Sequence, residues 1–335
     1  MKSGRGQVLA VQANFYRVLL AETGQTILCT RRALLKKMGQ AVCVGDRVRV
    51  EEIYGDRGVI TFVDDRVNYI SRPAMANLEQ IILVCALAEP APDPWQISRF
   101  LVHCQMTGVP VVVGLSKADL VAKHEQTQWL DRLQSWGYRA LAFSTATGAG
   151  MKELRGCLPW GITLVTGQSG VGKSSLLNYW MPHLGLSTGA VSQRSKTGKH
   201  TTRHVELFPL DQHTFVADSP GFLQPDLQCA PADLANYFPE IRARLQGGSC
   251  QFPDCRHRDE PNCVVRGDWE RYDHYCTWLK ELESGVPEPV PQLQYKHKSA
   301  KQGGYRREVL LSKRQRQESR RTSKIKVESS VNLFH

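Results

Sequence analysis

From the N-terminus to about residue 70, apolar and polar positions alternate in short runs broken by turn formers. Gln7–Val11, Tyr16–Leu20, Thr26–Thr30 and Arg47–Glu51 are β-branched or aromatic in character, and Gly24, Gly45-Asp46 and Gly55-Asp56 separate them. Roughly five strands in this length predict a small β-barrel, with an OB-fold the leading candidate. From about Asn77 the pattern changes. Gln80–Leu87, Val109–Leu115, Ala140–Phe143, Ile162–Thr166 and His213–Ala217 are short, strongly apolar runs. Trp95–Met106, Glu125–Ser135 and Lys173–Trp180 lie between them and read as amphipathic helices. Buried strands alternating with helices predict an α/β domain with a mostly parallel sheet. Past Ala230 the period shortens and cysteines gather, a helix is predicted at Trp269–Glu283, and Pro287–Pro291 ends the expected folded part. The chain therefore divides into a barrel (1–72), an α/β domain (73–228), a cysteine-bearing domain with a helix (229–291) and a tail (292–335).

Length and composition agree with several soluble domains, since 335 residues with 41% hydrophobic and 22% charged content leave room for two or three cores. The longest apolar run, Ile81–Ala88, is too short to cross a bilayer, and MKSGRGQVLA has no signal-peptide core. A cytoplasmic monomer without membrane contact is expected. The net charge of +11 is concentrated near the C-terminus, where Lys296 to Lys326 holds twelve Lys/Arg against Glu308 and Glu318. Such a segment, poor in large apolar residues, is expected to be disordered when free and to contact nucleic acid through phosphates, a solubilising tail being the alternative. Arg31, Arg32, Lys36 and Lys37 form a second basic cluster, either an RNA contact or a solvated face.

The strongest chemical signal is GQSGVGKS at Gly167–Ser174, which follows an apolar strand and opens a helix. Gly167, Gly170 and Gly172 clear space for backbone N–H groups to wrap phosphates at a helix N-terminus. With Gln168, Ser169, Val171 and Ser175 they make a phosphate-binding loop, in which Lys173 reaches the β- and γ-phosphates and Ser174 coordinates Mg²⁺. DSPG at Asp218–Gly221 follows another strand about 45 residues later. There Asp218 suits a carboxylate beside Mg²⁺ and Gly221 a backbone sensor of the γ-phosphate. GKHTTRH at Gly198–His204 has the character of a first switch, with Thr202, or else Thr201, on Mg²⁺.

A base reader precedes all of these. SKAD, comprising Ser116, Lys117, Ala118 and Asp119, ends the strand Val109–Leu115, and FSTATGAG follows some 25 residues on. Asp119 can accept from guanine N1–H and the exocyclic amine, which adenine cannot offer, while Ser144 and the backbone near Thr145 suit the base carbonyl. The order base reader, phosphate loop, switches is what circular permutation of a GTPase domain produces. Separately, Cys250, Cys255, His257 and Cys263 supply three thiolates and one imidazole within fourteen residues, the donor set of one closed structural zinc site.

Together these motifs resemble the RsgA (YjeQ/EngC) family of circularly permuted GTPases over about residues 5–285. The resemblance rests on VGDRV at Val44–Val48, RPAMANLEQ at Arg72–Gln80, GKHTTRH, DSPGF and CQFPDCRHRDEPNC. It implies an OB-fold, a permuted GTPase domain and a zinc domain. It also implies late action on the small ribosomal subunit and its rRNA, with GTP hydrolysis to GDP stimulated by that particle. Two positions depart from the pattern. The base reader starts with Ser116 where Asn is usual, which predicts weaker binding with guanine preference retained. Phe222 follows the DxxG glycine where Ras-like enzymes carry a water-orienting Gln, so slow intrinsic turnover is expected, with His200 the candidate catalytic residue. An rRNA-binding checkpoint module with a regulatory GTP site, and a small-molecule kinase, are the competing classes.

Overall fold

In the computed structural model the described residues are 2–37, 39, 41–186, 205–218, 227–285, 295–299 and 305–309. Five strands, β1 (Lys2–Gln12), β2 (Phe15–Leu20), β3 (Thr26–Arg31), β4 (Arg47–Tyr54) and β5 (Arg57–Val63), form the N-terminal barrel, with the short helix α1 (Ala33–Lys37) between β3 and β4. The order β1-β2-β3-β5-β4 closes on itself through β1–β4, and β3 runs parallel to β5, which is the OB connectivity. Alternation fills the barrel: Val8, Val18, Ile27, Val48, Val50 and Ile60 point inward and are fully or almost fully buried. Arg32 in the basic cluster is engaged by Glu51 at 3.5 Å.

A two-stranded hairpin, β6 (Tyr69–Ser71) and β7 (Ala74–Ala76), leads into the α/β domain. There β8 (Leu78–Ala86), α2 (Pro94–Gln105), β9 (Val111–Ser116), α3 (Lys123–Ser135), β10 (Arg139–Ala142), α4 (Met151–Gly156), β11 (Gly161–Gly167) and α5 (Lys173–Trp180) alternate. The strands β12 (Glu206–Pro209) and β13 (Thr214–Asp218) complete the sheet. Its order is β10-β9-β8-β11-β13-β12, parallel except for β12. Because β8 is apolar throughout, it feeds two cores. Ile82, Val84 and Ala86 pack with Leu154, Leu176 and Leu177 on the α4/α5 face, and Leu83, Cys85 and Leu87 pack with Leu101, Leu133 and Trp136 on the α2/α3 face. The chain leaves β8 toward β9 on one side and leaves β11 toward β13 on the other. The sheet therefore has a switch point between β8 and β11, where ligands of open α/β sheets sit beyond the strand C-termini.

After a turn of 3-10 helix at Pro231–Tyr237 come α6 (Pro239–Gly247), the cysteine loops and α7 (Tyr272–Ser284). This module docks on the α/β domain through Arg271, which is fully buried. Its guanidinium meets Glu240 at 3.1 Å and donates to Ser98 Oγ of α2 at 2.8 Å, lying between the rings of Trp136, Tyr138 and Phe238. Trp95 of α2 meets His274 and Trp278 of α7 edge-on. Beyond Pro291, where the sequence predicts a tail without structure, β14 (Tyr295–Ser299) and β15 (Tyr305–Val309) pair as an antiparallel hairpin.

Candidate nucleotide and metal sites

The C-terminal ends of β8, β9, β11 and β13 share one edge of the sheet: Ala86 pairs with Ser116, Val84 with Gly167, and Val165 with Asp218. The predicted base reader and phosphate loop therefore start from the ends of the two strands that flank β8. Gly167 is required where it stands, since its φ is +152° and an added Cβ would lie 2.3 Å from the Val84 carbonyl oxygen. Gly172, at φ +94°, turns the chain directly into α5, leaving the first-turn N–H groups to face the loop. Lys173 Nζ donates to the carbonyls of Gly167 at 2.8 Å and Gln168 at 2.6 Å, folded back into its own loop. Burial pulls the Lys173 ammonium below its ordinary value, and the Asp218 carboxylate partly restores it. Asp218 is pushed up by burial and drawn back by Lys173, and its Oδ1 is buried with no hydrogen-bond partner among the described residues. A buried, unpartnered carboxylate oxygen beside the loop fits an Mg²⁺ site shared with the Ser174 hydroxyl.

Ser116 is buried, and its hydroxyl donates to the Val171 carbonyl of the phosphate loop at 2.5 Å. Ser116 thus ties the start of SKAD to the phosphate loop through its hydroxyl. Lys117 adopts φ +57° and its ammonium donates to the Glu89 carbonyl. The Ala118 N–H bonds to the Phe143 carbonyl at 3.1 Å, which ties the base reader to the segment holding Ser144 and Thr145. Asp119 follows in a single 3-10 turn, exposed. The Ser144 hydroxyl accepts the N–H groups of Ala146 at 3.2 Å and Thr147 at 3.1 Å, fixing a tight loop beside it. Gly221, His200, Thr201, Thr202 and Phe222 lie outside the described residues.

The donor atoms of Cys250, Cys255, His257 and Cys263 all lie within 4.8 Å of one another. The Cys250–Cys263 sulfur separation is 3.8 Å, and each of these sulfurs is 3.5 Å from His257 Nδ1. A zinc tetrahedron with ~2.3 Å Zn–S and ~2.0 Å Zn–N bonds has edges close to these values. The described residues therefore fit zinc. Sequence reading missed the supports of this site. The Glu260 carboxylate accepts the N–H groups of Arg256, Arg258 and Asp259 at 2.7–3.1 Å. Burial pushes Glu260 up, but these donors together outweigh it and hold the carboxyl at about 2. Tyr272 and Tyr275 donate to the carbonyls of His257 and Arg256, pinning the loop to α7. Their only sequence signal is a position one and two turns into a predicted amphipathic helix.

The RsgA GTPase family profile matches residues 63–228. The small ribosomal subunit biogenesis GTPase RsgA of Microcystis aeruginosa is 55% identical over 280 residues, covering 82% of this chain and 78% of that protein. The chain belongs to the RsgA GTPase family. The RsgA of Thermosynechococcus vestitus is 49% identical, over 94% of this chain and 93% of its own. Among solved structures, YjeQ from Thermotoga maritima has a TM-score of 0.73 at 31% identity, covering 85% of this chain and 100% of that one. YloQ, a circularly permuted GTPase, gives 0.71 at 26% identity, covering 86% and 97%. Membership of that family sets the kinase reading aside, and in this chain GQSGVGKS follows SKAD in sequence. No described helix is long and apolar enough to cross a membrane.

Proposed function

We propose that this chain is a cytoplasmic, monomeric GTPase of small ribosomal subunit assembly that binds the subunit and its rRNA and hydrolyses GTP to GDP and phosphate. Hydrolysis triggers release of the chain itself or of another factor. The observation that carries the nucleotide part is the Ser116–Val171 hydrogen bond, which joins base reader and phosphate loop. The ribosomal part is supported by the names of relatives that align along most of the chain.

In this reading Asp119 accepts two donors from guanine, Ser144 and the Thr145 backbone face the base carbonyl, and the Gly167–Ser175 segment wraps the phosphates. Lys173 exchanges the Gly167 and Gln168 carbonyls for phosphate oxygens, a swap of neutral acceptors for charged ones. Ser174 and Thr202 would hold Mg²⁺ with Asp218 beside it, and the ion would neutralise phosphate charge. The Gly221 N–H senses the γ-phosphate. Phe222 gives no water-orienting group, so His200 or the bound particle supplies that function. One zinc ion on Cys250, Cys255, His257 and Cys263 stabilises the C-terminal module, and the basic tail adds phosphate contacts. The buried Arg271–Ser98 hydrogen bond and the Trp95–Trp278 contact support a module that moves with α2, not one that swings freely on a hinge.

Turnover of GTP and ATP, each with and without purified small subunits, tests this reading. GTP hydrolysis slow alone and stimulated at least about tenfold by subunits is expected, with ATP inert. GTP-dependent subunit binding without stimulation would favour the checkpoint alternative, and equal use of ATP would refute the assignment of Asp119.

A further inference from the structure

The sheet carries an electrostatic relation between the barrel and the phosphate end of the nucleotide site. Across four adjacent strands one row of directly paired residues reads Arg17, Ala10, Glu206, Asp218. Paired residues of neighbouring strands project to the same face, so Glu206 and Asp218 occupy adjacent positions on one face of the sheet. Arg17 reaches over the small Ala10 side chain and binds the Glu206 carboxylate. Its guanidinium thus draws Glu206 toward the barrel and away from Asp218. On the opposite face Val205 and Leu207 of the β12 segment share a core with Leu9 of β1, and Val11 and Leu19 pack against it. The β12 strand is therefore fixed to the barrel on both faces, which keeps the Glu206 backbone in that row.

We propose that Arg17 is a positioning residue for GTP binding. By neutralising Glu206 it keeps a second negative charge away from Asp218 and from the incoming phosphates, so the barrel completes the electrostatics of the GTPase site. The inference rests on the reading of Asp218 and Lys173 as the phosphate end of that site. Arg17 and Glu206 are 42% and 34% exposed, so their pair adds little to stability and its removal leaves the fold in place.

The test measures the affinity of a fluorescent (mant) GTP for the full chain, and kcat and KM for GTP, at low and high salt. Arg17→Ala is expected to weaken binding about fivefold at low salt, raising KM with little change in kcat. High salt should erase most of that loss. Glu206→Gln alone should bind like the unaltered protein, and Arg17→Ala combined with Glu206→Gln should recover its affinity, which a packing role for Arg17 could not produce. Arg17→Lys should retain most of the binding. Unchanged affinity in Arg17→Ala overturns the proposal, as does a loss that persists in the double variant or is indifferent to salt. Lys173→Ala serves as the control: if it binds GTP normally, the phosphate end itself is misassigned and both readings fall, whereas a loss there with none in Arg17→Ala sinks this proposal alone.

Discussion

The Ser116 hydroxyl and the Val171 carbonyl, 55 positions apart in sequence, meet at 2.5 Å. The contact brings the residue that opens SKAD onto the phosphate loop, from the ends of the two strands that flank β8. Removing the hydroxyl leaves a buried carbonyl short of a partner, at a cost of about 1 kcal/mol. Ser116→Ala is therefore expected to weaken GDP and GTP binding roughly fivefold without altering guanine over adenine preference, as measured by calorimetry.

Asp119 is exposed, yet its position is set by the Lys117 backbone at φ +57° and by the Ala118–Phe143 hydrogen bond. A carboxylate accepting two donors from one base is worth about 1.5–3 kcal/mol per charged hydrogen bond. Asp119→Ala should lower GTP affinity by at least about a factor of ten and shrink discrimination against ATP, read by competition with a fluorescent GTP.

Nucleotide binding should weaken at both ends of the pH range. Lys173 must be protonated to hold phosphate, and burial first, offset in part by Asp218, brings its pKa below 10.5, so affinity is lost as pH rises through that lowered value. Asp218 must be ionised to serve Mg²⁺, and burial, offset in part by Lys173, lifts it above 3.8, so affinity is lost as pH falls through that raised value. A titration of GDP affinity in Mg²⁺ should show both limbs inside the ordinary values, and Asp218→Asn should remove the acid limb.

Arg271 is fully buried, with one carboxylate partner and three aromatic rings around it. Deleting it strands Glu240, which burial already pushes up and only Arg271 and neighbouring donors restrain. Arg271→Ala should destabilise the chain by about 3–5 kcal/mol in urea unfolding and loosen the C-terminal module from α2, detectable as new protease sensitivity.

Zinc removal should have a more local effect. Chelation, or Cys263→Ser, is expected to unfold the loops between Cys250 and Cys263, giving loss of one bound zinc by metal analysis, while GDP still binds. Loss of GDP binding together with zinc would contradict a purely structural metal.

Local patterns made much of this legible. The Cys/His set was readable because its ligands fall within one short stretch, and β8 and β11 because continuous apolar runs bounded by turns have few other fates. The strand β12 escaped notice, being four residues long, Glu at one end and Pro at the other. Arg271–Glu240 and Arg17–Glu206 were invisible for a different reason. Their partners are 31 and 189 residues apart, and nothing in the type of a lone Arg or Glu says which surface will bury it or which strand will lie beside it. The pairing of β14 with β15 was hidden beneath the charge of that segment.

A crystal structure with GDP and Mg²⁺ bound would test whether motifs in inverted order form one site. A single GDP is expected, its guanine N1–H and amine on the Asp119 carboxylate and its β-phosphate within the amides of residues 167–173 and the Lys173 ammonium. A GDP on the phosphate loop with its base turned away from Asp119 would contradict it.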